Sequence, residues 1–260
     1  MIDIHSHIIP GIDDGAASIE EALEMARIAE REGIEKIICT PHFQFDDPTF
    51  TKRVRGAVKA LNLLFKKEGL FLRAYPGTEA FLRPELLDEV KKEDYLTLNG
   101  SEYVLVEFPL GEIPMFTDEM LYELRMMGKK PIIAHPERYR EVMKNPDILR
   151  KWIQQGNLIQ VNGSSILGIM GKRTESTVKH LLTHRMVHLV ASDSHSMGKR
   201  SPYGLSAYKK LEEVLSKEEI QTLMMNSERV FHNKTINFSE PIQFPKGYSV
   251  LKRLKHTLNR

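Results

Sequence analysis

The feature that most constrains this chain is a repeated pattern, in which a short apolar run is followed by a polar cluster and then by a helical segment. Seven such runs occur, at residues 2–5, 34–39, 70–75, 103–108, 131–134, 158–161 and 187–191. Six of them are nearly continuous in apolar residues, which is typical of parallel strands covered on both faces. The run at 70–75 is weaker because Arg73 interrupts it.

Helical patterns fill the intervals between the apolar runs. Capping boxes at residues 18–21 and 216–219 predict two helix starts, each with Ser at the first position and Glu at the fourth. Other helical patterns cover residues 51–67, 117–127, 141–155 and 174–184. Strand and helix in alternation predict an α/β fold with a parallel sheet, and seven units in one chain favour a closed barrel.

Composition and charge exclude several classes of protein. The formal net charge of +2 gives no bulk attraction to nucleic acid, so no nucleic-acid partner is expected. Cys39 is the only cysteine, which excludes an intrachain disulfide. No signal peptide and no apolar run of membrane-spanning length is recognisable, so we expect a cytoplasmic protein without membrane insertion.

The first candidate ligands are His5 and His7, at the end of the first apolar run. Side chains two apart on a strand point to the same side, so both imidazoles face one site. Asp14 follows in an Asp-Asp-Gly sequence, which is typical of a turn but equally compatible with a ligand carboxylate beside the two histidines. These residue types at the carboxyl end of a strand indicate a metal site.

A potential metal ligand at the end of an apolar run recurs along the chain. Later apolar runs lead to His42, Glu79, Glu107, His135, and the pair Asp193 and His195. The steps from His7 to His42, then to Glu79, Glu107 and His135, are 28 to 37 residues long, the length of one strand–helix unit. The interval from His135 to Asp193 has the length of about two strand–helix units. The apolar run at 158–161 lies midway through it, and no strong ligand follows that run. All candidates are therefore expected at one end of their strands, where barrel active sites are built.

Nine ionisable groups at one rim would be costly if they were desolvated and unpaired, so two or three divalent cations are implied. Imidazole and carboxylate ligands without thiolate suit manganese, iron or zinc better than calcium or magnesium. Four carboxylates with three such cations would leave a net positive site that favours an anion such as a phosphate ester. Arg138 and Arg200, which lie close to predicted ligands in the sequence, could clamp the phosphoryl oxygens.

These motifs together resemble the polymerase-and-histidinol-phosphatase (PHP) superfamily, and within it the bacterial protein-tyrosine phosphatases encoded beside capsule and exopolysaccharide genes. The resemblance extends from residue 1 to about residue 230, and every ligand position of the family is filled. The motifs that carry it are Met1-Ile2-Asp3-Ile4-His5-Ser6-His7, Pro10-Gly11-Ile12-Asp13-Asp14-Gly15, Thr40-Pro41-His42, Gly77-Thr78-Glu79, Val106-Glu107-Phe108-Pro109, Ala134-His135-Pro136-Glu137-Arg138-Tyr139 and Ser192-Asp193-Ser194-His195.

The resemblance implies a single-domain, distorted (β/α)7 TIM-like barrel of the PHP fold with three metal ions, with manganese favoured and iron or zinc as alternatives. It assigns Arg138 and Arg200 to phosphate binding and catalysis. It distributes the ligands over the three ions as follows: one ion is held by His5, His7, Glu79 and Asp193, a second by Glu79, Glu107 and His135, and a third by Asp14, His42 and His195.

The function implied is that of a phosphoric monoester hydrolase acting on phosphotyrosine, with a bacterial tyrosine autokinase that controls polysaccharide synthesis as the partner. A hydroxide bridging the cations would attack phosphorus in line. We expect the catalytic domain to cover residues 1–233, with a basic tail at 234–260 packed on the barrel.

Two alternatives remain at the level of sequence. The same ligands would serve a phosphatase for histidinol phosphate or another small phosphate ester, because loops around the pocket set selectivity. A phosphodiesterase of nucleic acids is disfavoured, since no basic stripe with interleaved aromatic residues is found. The alternative that is not an enzyme is a metal-binding regulatory module that docks on a kinase. The full ligand set and the two arginines argue against that alternative.

Overall fold

A computed structural model of the protein describes residues 1–92 and 95–245, and these residues form eight β-strands and ten α-helices. The strands are β1 (Ile2–Ser6), β2 (Lys36–Cys39), β3 (Arg73–Pro76), β4 (Glu79–Phe81), β5 (Tyr103–Glu107), β6 (Lys130–Ala134), β7 (Leu158–Asn162) and β8 (Leu189–Ala191). The helices are α1 (Ile19–Arg31), α2 (Phe50–Lys67), α3 (Leu86–Lys91), α4 (Thr117–Met126), α5 (Arg140–Lys144), α6 (Asp147–Gln154), α7 (Gly163–Ile166), α8 (Lys172–Thr183), α9 (Leu205–Leu211) and α10 (Lys217–Phe231).

The strands form two parallel sheets, one in the order β1-β2-β3 and the other in the order β4-β5-β6-β7-β8. Single parallel bridges join the sheets at two places, between His42 and Glu79 and between Ser6 and Ser194. The predicted α/β class and parallel sheet are confirmed. A closed barrel is not confirmed, because among the described residues isolated bridges replace continuous ladders at both junctions.

Alternating side chains of the strands separate an interior core from the helix-covered exterior. On β5, Tyr103 and Leu105 belong to an interior cluster that also contains Ile4 of β1 and Leu189 of β8. Val104, one position away, packs in a different cluster with residues of the surrounding helices. The period of two along a strand produces this division. It also places Glu107 on the interior side, in phase with Tyr103 and Leu105.

The prediction of one third strand at residues 70–75 is wrong in its extent. The structure has β3 at Arg73–Pro76 in one sheet and β4 at Glu79–Phe81 in the other. Pro76 has no amide hydrogen to extend the ladder. Gly77 then lets the chain pass close to Ile38, where a Cβ would lie 2.7 Å from Ile38 Cγ2. The chain therefore changes sheets between residues 76 and 79.

Most predicted helices are present with small shifts at their ends. The capping box at Ser216 is formed in both directions, with Glu219 N donating to Ser216 Oγ at 3.3 Å and Ser216 N donating to Glu219 Oε2 at 2.8 Å. The predicted helix at 141–155 is instead divided into α5 and α6, since Pro146 interrupts the pattern. Helices α3, α7 and α9 were not predicted. No described helix is both long enough and apolar enough to cross a membrane.

The first part of the predicted tail lies against the rest of the protein. Ile236 and Phe244 are buried, and Ile242 N donates to the carbonyl of His184 at 2.8 Å. The ring of Phe244 stacks on that of His184 at a centroid distance of 3.7 Å. Residues 246–260, which carry most of the predicted basic charge, lie outside the described residues. The domain boundary after residue 233 stays a prediction.

The close approach at Gly77 generates a testable prediction. Gly77→Ala should lower the free energy of unfolding by about 1–3 kcal/mol, because the added methyl group overlaps Ile38. Gly56→Ala is the matched control, since Gly56 lies inside α2 with no atom within 4 Å of an added Cβ. The control should gain about 0.5–1 kcal/mol. Urea denaturation measures both, and equal stabilities of Gly77→Ala and wild type would refute the packing argument.

Candidate metal centre

The structure brings all nine predicted ligands together on the side of the molecule where the carboxyl ends of most strands lie. His5 lies in β1 and Glu107 closes β5, whereas Glu79 differs because it opens β4. Glu79 reaches the same region because β3 ends just before it, and because it forms the bridge to His42. The remaining ligands lie in loops that follow β1, β2, β6 and β8: His7, Asp14, His42, His135, Asp193 and His195.

The nine side chains form four overlapping groups, and within each group the potential ligand atoms lie within 4.8 Å of one another. The groups are His7, Asp14, His42 and His195; His5, His7 and Asp193; His5, Glu79 and His135; and His42, Glu79 and Glu107. Four ligands are shared between groups, so the site is one continuous cluster. The assignment of each residue to a particular ion stays a prediction.

The inner part of the cluster is fully buried. His5 Nε2 lies 3.2 Å from Glu79 Oε2 and 3.4 Å from Asp193 Oδ1. His7 Nε2 lies 3.3 Å from the same Glu79 oxygen and 3.6 Å from the same Asp193 oxygen. Each of these four side chains is at most 1% exposed. Two imidazole nitrogens and two carboxylate oxygens therefore converge in a space without access to solvent.

The outer part is open to solvent. His42 Nε2 and His195 Nε2 each lie 3.3 Å from Asp14 Oδ1. His42 Nδ1 lies 3.1 Å from Glu107 Oε1. Asp14 is 61% exposed and His42 is 37% exposed, whereas His195 is 4% exposed. A ligand would therefore reach the cluster from the side of Asp14 and His42.

Hydrogen bonds orient the buried imidazoles so that Nε2 faces the cluster. His5 Nδ1 donates to Gln160 Oε1 at 2.8 Å, and His7 Nδ1 donates to Asp13 Oδ2 at 2.7 Å. Donation from Nδ1 leaves Nε2 as the lone-pair nitrogen of the neutral ring. The two Nε2 atoms are 3.1 Å apart. A positive charge must lie between them, either a proton, which makes this contact a hydrogen bond, or a metal cation that replaces the proton.

Unpartnered atoms test whether the residues fit a metal. Glu79 Oε2 and His195 Nε2 are buried and lack a hydrogen-bond partner. Glu79 Oε2 lies 3.2 to 3.3 Å from one imidazole nitrogen each of His5, His7 and His42. Buried polar atoms are normally hydrogen-bonded, so such exceptions require a reason. Nitrogen and carboxylate donors oriented towards one point fit divalent transition-metal ions.

The electrostatics of the cluster favour positive charge. Burial by itself would lower the pKa of His5, but the charges of Glu79 and Asp193 outweigh it and raise the pKa to about 10. Burial by itself would raise the pKa of Asp193, but the charges of His5, His135 and Arg200 hold it below its usual range. Asp193 is therefore ionised at neutral pH, and a cation can balance its charge.

Two of the predicted ligands have a strained backbone. His135 has φ of 35° and Asp193 has φ of 50°, in the left-handed region that residues other than glycine rarely adopt. Each residue lies just beyond a strand end, β6 for His135 and β8 for Asp193. Strain of this kind persists where the surrounding structure holds it, and it concentrates at functional sites.

A second set of polar residues was missed from the sequence. Gln160 Nε2 donates to Asn162 Oδ1 at 2.8 Å, and Asn162 Nδ2 donates to Asp193 Oδ2 at 2.6 Å. With the bond from His5 to Gln160, this chain of contacts connects two predicted ligands through β7. Strand β7 carries no strong metal ligand, but Gln160 and Asn162, two polar residues two positions apart at the end of an apolar run, were a signal in the sequence for a supporting role. Such outer partners orient ligands and tune metal affinity.

The two predicted phosphate-binding arginines lie beside the cluster, and both contact Asp193. Arg138 Nη1 donates to Asp193 Oδ2 at 3.1 Å. Arg200 Nη2 donates to both oxygens of Asp193, at 2.8 and 2.9 Å. Arg138 is 18% exposed and Arg200 is 26% exposed, so each guanidinium lies at the boundary between the buried cluster and solvent.

Comparison with known proteins gives a consistent group of matches. Residues 1–232 match the family described as capsular polysaccharide synthesis, CpsB/CapC. The chain is 37% identical over 247 residues to the tyrosine-protein phosphatase YwqE of Bacillus subtilis, covering 94% of this chain and 96% of that protein. It is 34% identical over 249 residues to the protein named CapC of Staphylococcus aureus, with coverage of 94% and 96%.

A solved structure matches nearly the whole chain. It comes from crystal structures of YwqE from Bacillus subtilis and CpsB from Streptococcus pneumoniae, described as unique metal-dependent tyrosine phosphatases. The TM-score is 0.91 and the sequence identity is 36%, and the match covers 95% of this chain and 100% of that one.

The contacts of Gln160 generate a prediction about metal affinity. Gln160→Leu should weaken manganese binding by about 10- to 100-fold, because His5 loses the acceptor that fixes its ring and tautomer. Titration with manganese in competition with a chromogenic chelator measures the effect. Gln221→Leu, on the exposed side of α10, is the control and should bind as wild type does. Unchanged affinity in folded Gln160→Leu would exclude this role.

Proposed function

Since this chain belongs to the CpsB/CapC family of capsular polysaccharide synthesis, we propose that it is a metal-dependent protein-tyrosine phosphatase. The observation that carries the proposal is the cluster of five histidines and four carboxylates, which are oriented towards shared points at one end of the strands. A docking module would not need nine converging ligands with two arginines beside them. The catalytic arrangement is therefore favoured over a purely regulatory one.

The proposed metal content is three divalent ions, with manganese favoured. The inner set is supported by the buried contacts of His5 and His7 with Glu79 and Asp193. The second set is supported by His135 Nε2, which lies 3.1 Å from Glu79 Oε1 and 3.8 Å from Glu107 Oε2. The third set is supported by the approach of Asp14 to His42 and His195.

The residues of the chain bind and orient the phosphoryl group. When bound, the divalent ions would lower the pKa of a coordinated water and neutralise charge on the phosphoryl oxygens. Arg138 and Arg200 donate to carboxylate oxygens of Asp193, and a phosphoryl group likewise offers pairs of anionic oxygens that a guanidinium can bind in a bidentate manner. The two guanidinium groups would thus hold the phosphoryl group against the cluster.

The partner and the finer fold belong to the same proposal. We infer that the physiological substrate is a phosphotyrosine-bearing protein, a bacterial tyrosine autokinase that controls polysaccharide synthesis, and that the enzyme acts in the cytoplasm. We also infer that the two sheets together constitute the distorted barrel of the PHP superfamily. The interior cluster that draws residues from strands of both sheets supports that architecture, as do the bridges at both junctions.

Hydrolysis of a phosphotyrosyl peptide tests the proposed function. The manganese-loaded protein should release phosphate from the peptide, and removal of metal by a chelator should reduce the rate at least about 1000-fold, since metal-dependent charge stabilisation is lost. Manganese added in excess of the chelator should restore the rate. Turnover of histidinol phosphate is measured in parallel, because a clear preference for it would replace the proposal by the alternative phosphatase.

The mechanism also predicts that the lone cysteine is dispensable. Cys39 is fully buried, and burial raises the pKa of its thiol, so it is a poor nucleophile at neutral pH. Cys39→Ser should keep the wild-type kcat within about threefold, with at most the modest loss of stability expected for a core substitution. Steady-state kinetics beside thermal unfolding separates the two effects. A folded variant without activity would indicate a phosphocysteine route instead.

A further inference from the structure

Strand β4 presents a large apolar side chain on the same side as a predicted metal ligand. Glu79 and Phe81 are two apart in the strand, so their side chains project from the same face. Ala80 and Leu82 are fully buried in the cluster that packs under the helices. Phe81 is 41% exposed and belongs to none of the apolar clusters of the described residues. Its ring is therefore left at the mouth of the site.

The pairing of β4 with β5 places this phenylalanine beside a second predicted ligand. Phe81 is the direct neighbour of Glu107 in the parallel ladder, and Leu82 N donates to the carbonyl of Glu107 at 2.9 Å. Neighbouring residues of a parallel pair project to the same side of the sheet. The carboxylate of Glu107 contacts His42 at 3.1 Å, in the solvent-accessible part of the cluster. Phe81 thus flanks the open side of the metal centre.

The arginines proposed to bind phosphate approach the site from other strands than Phe81 does. Arg138 follows β6 and Arg200 follows β8, whereas Phe81 is the last residue of β4. A phosphate monoester held by the arginines and the cluster has its organic group directed to the rim. For an aryl ester, that group is a flat apolar ring one ester oxygen away from phosphorus.

Given the proposed function, on which this inference rests, we propose that Phe81 is a specificity-determining residue that packs against the phenyl ring of the phosphotyrosine substrate. Single exposed apolar residues are common and need no explanation. The position of Phe81 distinguishes it, because it combines exposure with direct register to a ligand of the cluster. Aromatic pairs stabilise each other in stacked or edge-to-face arrangements, which the half-exposed ring leaves room for.

The contribution should appear in binding of the ring and not in the chemical step. Removing the Phe81 ring takes away an aromatic contact, for which a loss of about tenfold in affinity is expected. The phosphoryl group keeps its arginines and its metal ligands, so a ligand without a ring should bind unchanged. For a phosphotyrosyl peptide the loss should raise KM and leave kcat nearly constant, as for uniform binding.

Calorimetric titration of the manganese-loaded protein with phenylphosphonate and with methylphosphonate tests the inference without turnover. Phe81→Ala should weaken phenylphosphonate about tenfold and leave methylphosphonate unchanged, and Phe81→Tyr should bind phenylphosphonate nearly as wild type does. Phe71→Ala is the matched control, because Phe71 is 87% exposed and precedes β3 at the opposite end of the strands. It should bind both ligands as wild type does.

The outcomes separate this inference from the function on which it rests. Equal weakening of both phosphonates in Phe81→Ala, or no weakening of either, overturns the inference even if wild type hydrolyses the phosphotyrosyl peptide. A wild-type protein that fails to hydrolyse the peptide overturns the proposed function, whatever the phosphonates show. Selective weakening of phenylphosphonate together with a raised KM for the peptide supports both.

Discussion

The structure depends on one electrostatic constraint, which is that four carboxylates and five imidazoles meet where solvent can reach only some of them. Glu79 and Asp193 lie in the buried part, where an unbalanced charge would be strongly unfavourable. Their negative charge raises the pKa of His5, and it makes the cluster favourable for binding cations. The fold is arranged so that these groups remain ionised, oriented and close, which is also the condition for hydrolysing a phosphate ester.

Two features of the fold maintain that arrangement. Beneath the cluster, the interior apolar core draws residues from both sheets, including Ile4, Leu105 and Leu189, and fixes the spacing of the strands. Around it, hydrogen bonds from Gln160 and Asn162 connect buried ligands, and His135 and Asp193 retain a strained backbone. The parallel ladder of β4 to β8 therefore supports the site, while the loops beyond the strand ends supply most of the ligands.

The same architecture explains why we propose different residues for binding the phosphoryl group and for binding the organic group of the substrate. In this proposal, the arginines and the cluster bind the phosphoryl group, which is common to all phosphate monoesters. Selectivity for the organic group must come from residues at the rim, and Phe81 is placed there by its register with Glu107. Membership of the CpsB/CapC family and the near-complete match to a metal-dependent tyrosine phosphatase structure support the activity on which the proposal for Phe81 rests.

The sequence by itself determined the α/β class, the family and the candidate ligands, because strand periodicity and spacing are local properties that a linear pattern records. It also located the helix start at Ser216, where the capping box depends on residues three positions apart. Only the tertiary structure decided that the chain changes sheets between Pro76 and Glu79, and that isolated bridges join the sheets. Those outcomes depend on contacts such as Gly77 against Ile38, between residues far apart in the chain. The pairing of Gln160 with His5, and of Phe81 with Glu107, has the same origin, since register between strands is set by packing and not by sequence neighbours.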